Sequence, residues 1–259
     1  MFGHKWSIGV FTNPGIIDWK VSPHFYFWNG DEESGDIDPS FSSPHLNMLD
    51  ENEAYRAYGR ITTLLRMASA VKIIFGGNMV ENDGSVLYFT NGHYTRPWIE
   101  EDWNILIEEM TDPFDPLMTQ KIRSEMSVRI PKLAEFIIDE SIDNPTARDI
   151  LLWITLGEEQ LLYFFINAYK IMDSIKTDIK TYQKRNEFKP SESLITASAN
   201  MQRHSHYMNT MAGSRRLARH GATTQTAPSK SPTIEEIKQD LIDLVLDWFR
   251  YRFSIKYIK

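Results

Sequence analysis

Apolar positions along the chain fall into successive patterns. Up to about residue 50 they come in short runs, Ile8-Gly9-Val10-Phe11 and His24-Phe25-Tyr26-Phe27-Trp28, bounded by the turn formers Asn13-Pro14-Gly15 and Asn29-Gly30-Asp31. Runs this short, closed by Gly, Pro and Asn, predict strands rather than helices. The acidic, serine-rich stretch 32–44 predicts a loop. From Asp50 the spacing changes to three and four: Ala54, Tyr55, Tyr58, Ile61, Leu64, Leu65, Ala68, Val71 and Phe75 share the face of an amphipathic helix. Asp50 with Glu53 supplies a capping box at its start and Gly76-Gly77 supplies its stop. Val86-Leu87-Tyr88-Phe89 then predicts a strand that turns at Asn91-Gly92, a pair that tolerates the positive φ of a tight hairpin.

The stretch 98–115 is acidic, has room for a short helix, and closes as a linker at Pro113-Phe114-Asp115-Pro116. Beyond it the pattern predicts helices over 117–130, 133–140, 146–156 and 158–180. In the last of these Leu161, Leu162, Phe164, Phe165, Ala168, Tyr169, Ile171, Met172 and Ile175 occupy more than one face, so most of its sides must be buried. A polar connection (180–190), a weaker helix (191–207) and a loop (213–232) follow. Thr233 and Glu236 then cap a final helix with Ile234, Ile237, Leu241, Leu244, Val245, Trp248 and Phe249 in one stripe. The expected fold class is α+β. A mixed strand and helix region over 1–112, suited to sensing or partner binding, precedes an all-helical bundle over 113–259.

Composition narrows the classes. With 259 residues, 42% hydrophobic and 24% charged, there is enough apolar surface to exclude collagen-like, coiled-coil and wholly disordered chains. The absence of cysteine excludes disulfides, thiolate metal sites and a cysteine nucleophile. No apolar run reaches the ~18 residues of a membrane span, and Met1-Phe2-Gly3-His4-Lys5-Trp6 lacks the plan of a signal peptide. A cytoplasmic protein without a membrane partner is the expectation. The net charge of -7 argues against an unspecific polyanion binder.

One segment departs from that balance. No Asp or Glu occurs between Glu192 and Glu235, while Arg203, Arg215, Arg216, Arg219, Lys230, His204, His206 and His220 all lie there. A stretch with cations and no acids creates a local positive field suited to a phosphate-bearing partner. Imidazole moves protons near neutrality, and guanidinium grips phosphate with a planar fork. Together they suffice for metal-independent cleavage of RNA, with the ribose 2′ hydroxyl as nucleophile, the imidazole as acid or base and the guanidinium stabilising the transition state.

Arg215-x-x-x-x-His220-Gly221, set between the very apolar helix containing Phe164-Phe165-Ile166-Asn167-Ala168-Tyr169 and the terminal amphipathic helix, resembles the Arg-x(4 to 6)-His signature of the HEPN superfamily, in particular its Apea-like and MauJ-like branches. The resemblance covers roughly residues 146–259. It implies a helical bundle acting as a homodimer, and a metal-independent endoribonuclease in bacterial or phage-related defence. Arg215 and His220 would be the catalytic residues, with Arg216, Arg219, Arg203 and His204 contacting RNA, and neither metal nor cofactor would be needed. Arg216 departs from the Asn, Asp or His that commonly follows the motif arginine. The alternative is a non-catalytic helical dimerisation or interaction protein with a degenerate motif, in which Trp248 and Phe249 anchor an interface or cap the core.

Other residues carry less. His204 and His206 would not share a helix face, which disfavours a two-histidine metal site. The pairs Glu108-Glu109 and Glu158-Glu159 read as helix-end and surface charge, because adjacent residues on a helix point apart. Trp19, Phe25, Tyr26, Phe27 and Trp28 read as core, since aromatic residues alternating on a half-buried sheet need no ligand, with base stacking as the alternative.

Overall fold

The computed structural model describes residues 4–11, 19–29, 39–126, 129–184, 189–218, 226 and 231–258. The chain divides into two compact units, Met1–Ser69 with Asn78–Arg129, and Ala70–Gly77 with Ile130–Lys259. A mixed sheet and helix N-terminal region is followed by a mostly helical C-terminal region. The division after Arg129 lies beyond the boundary expected at 112, and Phe114 gives the reason. It is 4% exposed and meets the rings of His24 and His45 edge-on at 6.0 and 5.2 Å, so the proline-flanked stretch belongs to the first unit's core.

The first unit is built on five antiparallel strands: β1 (Trp6–Phe11), β2 (Tyr26–Asn29), β3 (Pro39–Ser42), β4 (Glu81–Thr90) and β5 (His93–Thr95), in the order β2-β3-β1-β4-β5. Register stacks Phe27 on Phe41, Phe41 on Ile8 and Ile8 on Val86, and all four side chains are buried. Alternation sends Tyr26 and Trp28 to the opposite face, where they stay half-buried beside His4 and Tyr94. The N-terminal aromatics are therefore split between core and outer face. β3 lies in the stretch read as a loop. Its sequence, Pro39-Ser40-Phe41-Ser42, has one large apolar residue, and it becomes a strand because β1 and β2 flank it on both sides. The β4–β5 hairpin turns as expected, with Asn91 at φ 50° and Gly92 at φ 84°.

Helix α1 (Ala54–Ile74) buries Ala57, Ile61, Leu64, Leu65, Ala68 and Val71, and each large aliphatic side chain contributes about 1.5–3 kcal/mol on burial. The capping box of Asp50 and Glu53 sits on a short 3-10 turn leading into the helix. Gly76, at φ 84°, turns the chain so that Phe75 is half exposed rather than continuing the stripe. Helix α2 (Trp103–Thr111) starts where the Asp102 carboxylate accepts from the Asn104 and Ile105 amides at 2.9 and 3.4 Å. Helix α3 (Pro116–Glu125) is capped by Asp115, which accepts from the Met118 amide at 2.7 Å.

The second unit comprises α4 (Leu133–Asp143), α5 (Pro145–Glu159), α6 (Leu161–Lys184), α7 (Glu192–Arg203), α8 (Ser205–Asn209), α9 (Met211–Ser214) and α10 (Ile234–Tyr257). Phe136, Leu151, Phe165, Ile171, Leu244, Trp248 and Phe249 fill its core. Of the two roles considered for Trp248 and Phe249, the structure gives them the inner one, since both are fully buried. α10 packs on α7, α6 and α4, and its capping box of Thr233 and Glu236 is formed. Arg252 of α10 pairs with Glu140 and Asp178 and lies over the Tyr182 ring at 4.6 Å. Among the described residues no helix is long and apolar enough to cross a membrane.

Candidate binding cleft and the basic turn

Arg215 and Arg216 open a 3-10 turn, Arg215–Leu217, directly after α9, and both are exposed. The turn is held by its approach. Thr210 Oγ1 accepts from the Gly213 amide at 3.1 Å, and Gly213 lies so close to Tyr207 that a Cβ there would come within 2.7 Å of its carbonyl oxygen. Arg215 has φ 54° and ψ -125°, a conformation strained for any residue with a Cβ. Arg219 and His220 lie outside the described residues. Arg203 is exposed and donates to the Asn200 side chain. His204 is turned toward α10, with Nε2 2.7 Å from Asp240 Oδ2, and His206 is exposed. Among the described residues no group of three or more His, Asp or Glu is placed to hold a metal ion.

The first unit contains a buried polar cluster. Glu109, expected at the surface, is 1% exposed, because α2 packs against α1 where Gly59 leaves room for it. Its carboxylate accepts from Arg60 Nε at 2.5 Å and from Arg56, while Arg56 also donates to Glu108 at 3.0 Å. Burial opposes the charge on Arg56, but the two carboxylates outweigh it and raise its pKa. Arg60 Nη1 donates to the His45 carbonyl at 2.8 Å. His45 is fully buried, and its pKa is held down to about 2 by burial first, then by His24 and the Arg60 guanidinium.

Beside this cluster lies a cleft of about 800 Å³. Its walls are 52–56, at the start of α1, and Trp98 together with 100–105, at the start of α2. Trp98 is 90% and Trp103 68% exposed, which is unusual for the largest apolar side chain. Glu53, Glu100, Glu101 and Asp102 line the same space. Glu53 and Asp102 are partly committed to capping, whereas Glu100 and Glu101 are exposed and form no ion pair among the described residues. Among the described residues the one cation in the wall, Arg56, is already matched by Glu108 and Glu109. The negative field reaches the wall residue Tyr55, whose hydroxyl pKa is raised by burial, then by Glu101, Tyr58 and Asp102. Exposed indole faces beside uncompensated carboxylates suit a cation, which gains from the ring quadrupole and the charges at once.

No family model, no curated protein and no solved structure matches this chain. The ribonuclease and hydrolase reading is therefore corrected: no family match, no fold match and no metal-binding group among the described residues supports it. Of the motif pair, only Arg215 falls within the described structure. The cleft left a trace in the sequence. Trp98 and Trp103, in a polar stretch with acids on consecutive positions 100–102, have no apolar periodicity to bury them. The stretch has room for a short helix, but its acids and terminal prolines resemble connecting sequence and mask that trace.

Proposed function

We propose that this chain is an interaction protein whose first unit receives a cationic segment of a polypeptide in the Trp98/Trp103 cleft. The observation that carries the reading is the pairing of two largely exposed tryptophans with four carboxylates in one concavity of about 800 Å³. That volume lies in the range of sites that engulf several side chains of a ligand. An arginine or lysine entering it exchanges water for an indole face and a carboxylate, while its methylene stem covers apolar ring surface. Specificity then rests on charge and aromatic contact, without a reaction.

The test is a titration of a fluorophore-labelled arginine-rich peptide with the full chain, followed by the anisotropy of the label, beside a serine-substituted peptide of the same length. Saturable binding of the cationic peptide alone, lost when Trp98→Ala and Trp103→Ala are combined, is expected. Equal responses to both peptides, or binding indifferent to the two substitutions, would overturn it.

A further inference from the structure

We propose that the segment received by the cleft is the basic turn Arg215–Leu217 of a second copy of this chain. The inference rests on the reading of the cleft given above and names its partner. Arg215 and Arg216 place two guanidinium groups on consecutive exposed residues, and no hydrogen bond or ion pair among the described residues engages either of them. The surrounding sequence, 193–234, contains no acid that could neutralise them locally. On the receiving side Glu100 and Glu101 are likewise exposed without an ion pair among the described residues. Two unanswered cations and two unanswered carboxylates on one chain are complementary between copies.

The turn is also built to present its charges. The Thr210 cap and the tight seat of Gly213 against Tyr207 fix the backbone before Arg215. The strained φ of 54° at Arg215 persists although its side chain packs into no core. Strain retained at an exposed, charged position is characteristic of a recognition element, and a turn already ordered loses little freedom on docking. Met211, 42% exposed and four residues earlier, offers a polarisable apolar flank to an indole.

Cleft and turn lie in different units and are different surfaces. Each copy therefore gives a turn and receives one, and the junction is satisfied either by two copies docking reciprocally about a two-fold axis or by head-to-tail association into a chain or ring.

Sedimentation of the full-length protein at low ionic strength tests this. Wild type is expected to associate with rising concentration. A turn variant (Arg215→Glu with Arg216→Glu) and a cleft variant (Trp98→Ala with Trp103→Ala) are each expected to stay monomeric while keeping the wild-type circular dichroism spectrum. Mixed in equal amounts, they retain one competent junction, the turn of the cleft variant in the cleft of the turn variant, and should stop at a heterodimer. A monomeric wild type at every concentration overturns the inference, as does association that neither variant weakens. The arginine peptide separates the two levels. If the turn variant binds it while wild type never associates, the self-docking fails and the cleft reading stands. If the peptide does not bind at all, the cleft reading itself fails.

Discussion

His45 Nε2 lies 2.9 Å from His24 Nδ1, and the two imidazoles are stacked with an interplanar angle of 7°. A third contact fixes the direction of that bond. The Asp115 amide donates to His45 Nδ1 at 3.0 Å, so this nitrogen carries no proton, and His45 donates from Nε2 to His24. A protonated His45 would lose its bond from the Asp115 amide and place a charge where Arg60 already stands.

A pH dependence follows for the first unit. The folded pKa of His45 is about 2, whereas unfolded histidine titrates near 6.5. Below that unfolded value the unfolded chain binds a proton that the folded one refuses. Stability from this group is thus complete above pH ~6.5 and falls by about 1.4 kcal/mol per pH unit as the solution is acidified. Urea melts of wild type and His45→Gln between pH 7 and pH 4.5 check this, whatever the variant loses overall. The variant should show the shallower slope, by about one proton, and parallel slopes would refute the assignment.

Glu109 holds two arginines from a site closed to water. Glu109→Gln should destabilise the protein by about 3–5 kcal/mol, because Arg60 is left charged and half-buried without its counter-ion. Combining Glu109→Leu with Arg60→Met should recover most of that loss, since a packed apolar pair needs no compensation. Thermal melts of Glu109→Leu, Arg60→Met and the two combined decide it. Additive losses would show that the pair is not coupled.

Cation binding in the cleft should weaken with salt more steeply than stacking alone allows. Between about 0.05 and 0.5 M salt the affinity for an arginine peptide should fall by an order of magnitude or more, as screening shortens the reach of Glu100 and Glu101. Trp103→Ala should cost a further factor of roughly 2–30, equivalent to about 0.5–2 kcal/mol of cation–π contact. Fluorescence anisotropy of a labelled peptide measures both. A salt-independent affinity would rule out the carboxylates as partners.

In the second unit, Trp248 Nε1 donates to Asp178 Oδ2 at 2.8 Å, and Asp178 in turn receives Arg252 at 3.5 Å. Trp248→Phe keeps a large ring but deletes the donor, and should cost about 1.5–3 kcal/mol, the usual range for a hydrogen bond to a charged group. Chemical denaturation of the variant provides the number. A loss below about 0.5 kcal/mol would mean that Arg252 alone satisfies Asp178.

The sequence determined the periodic elements of this protein. The stripes of α1 and α10, the Asn91-Gly92 hairpin and the capping boxes at Asp50 and Thr233 were legible, because each depends on residues within a few positions of one another. Its acid-free segment was equally plain, since charge is a property of composition. Only the tertiary structure decided that Pro39–Ser42 is a strand, that Glu109 is buried between two arginines, that Phe114 belongs to a core and that His24 meets His45. These depend on partners 10 to 90 residues away along the chain, and local spacing carries no record of them. The same holds for the cleft: two tryptophans and a row of acids become a binding surface only when the start of α1 is folded against the start of α2, because a concavity belongs to two segments at once and to neither alone.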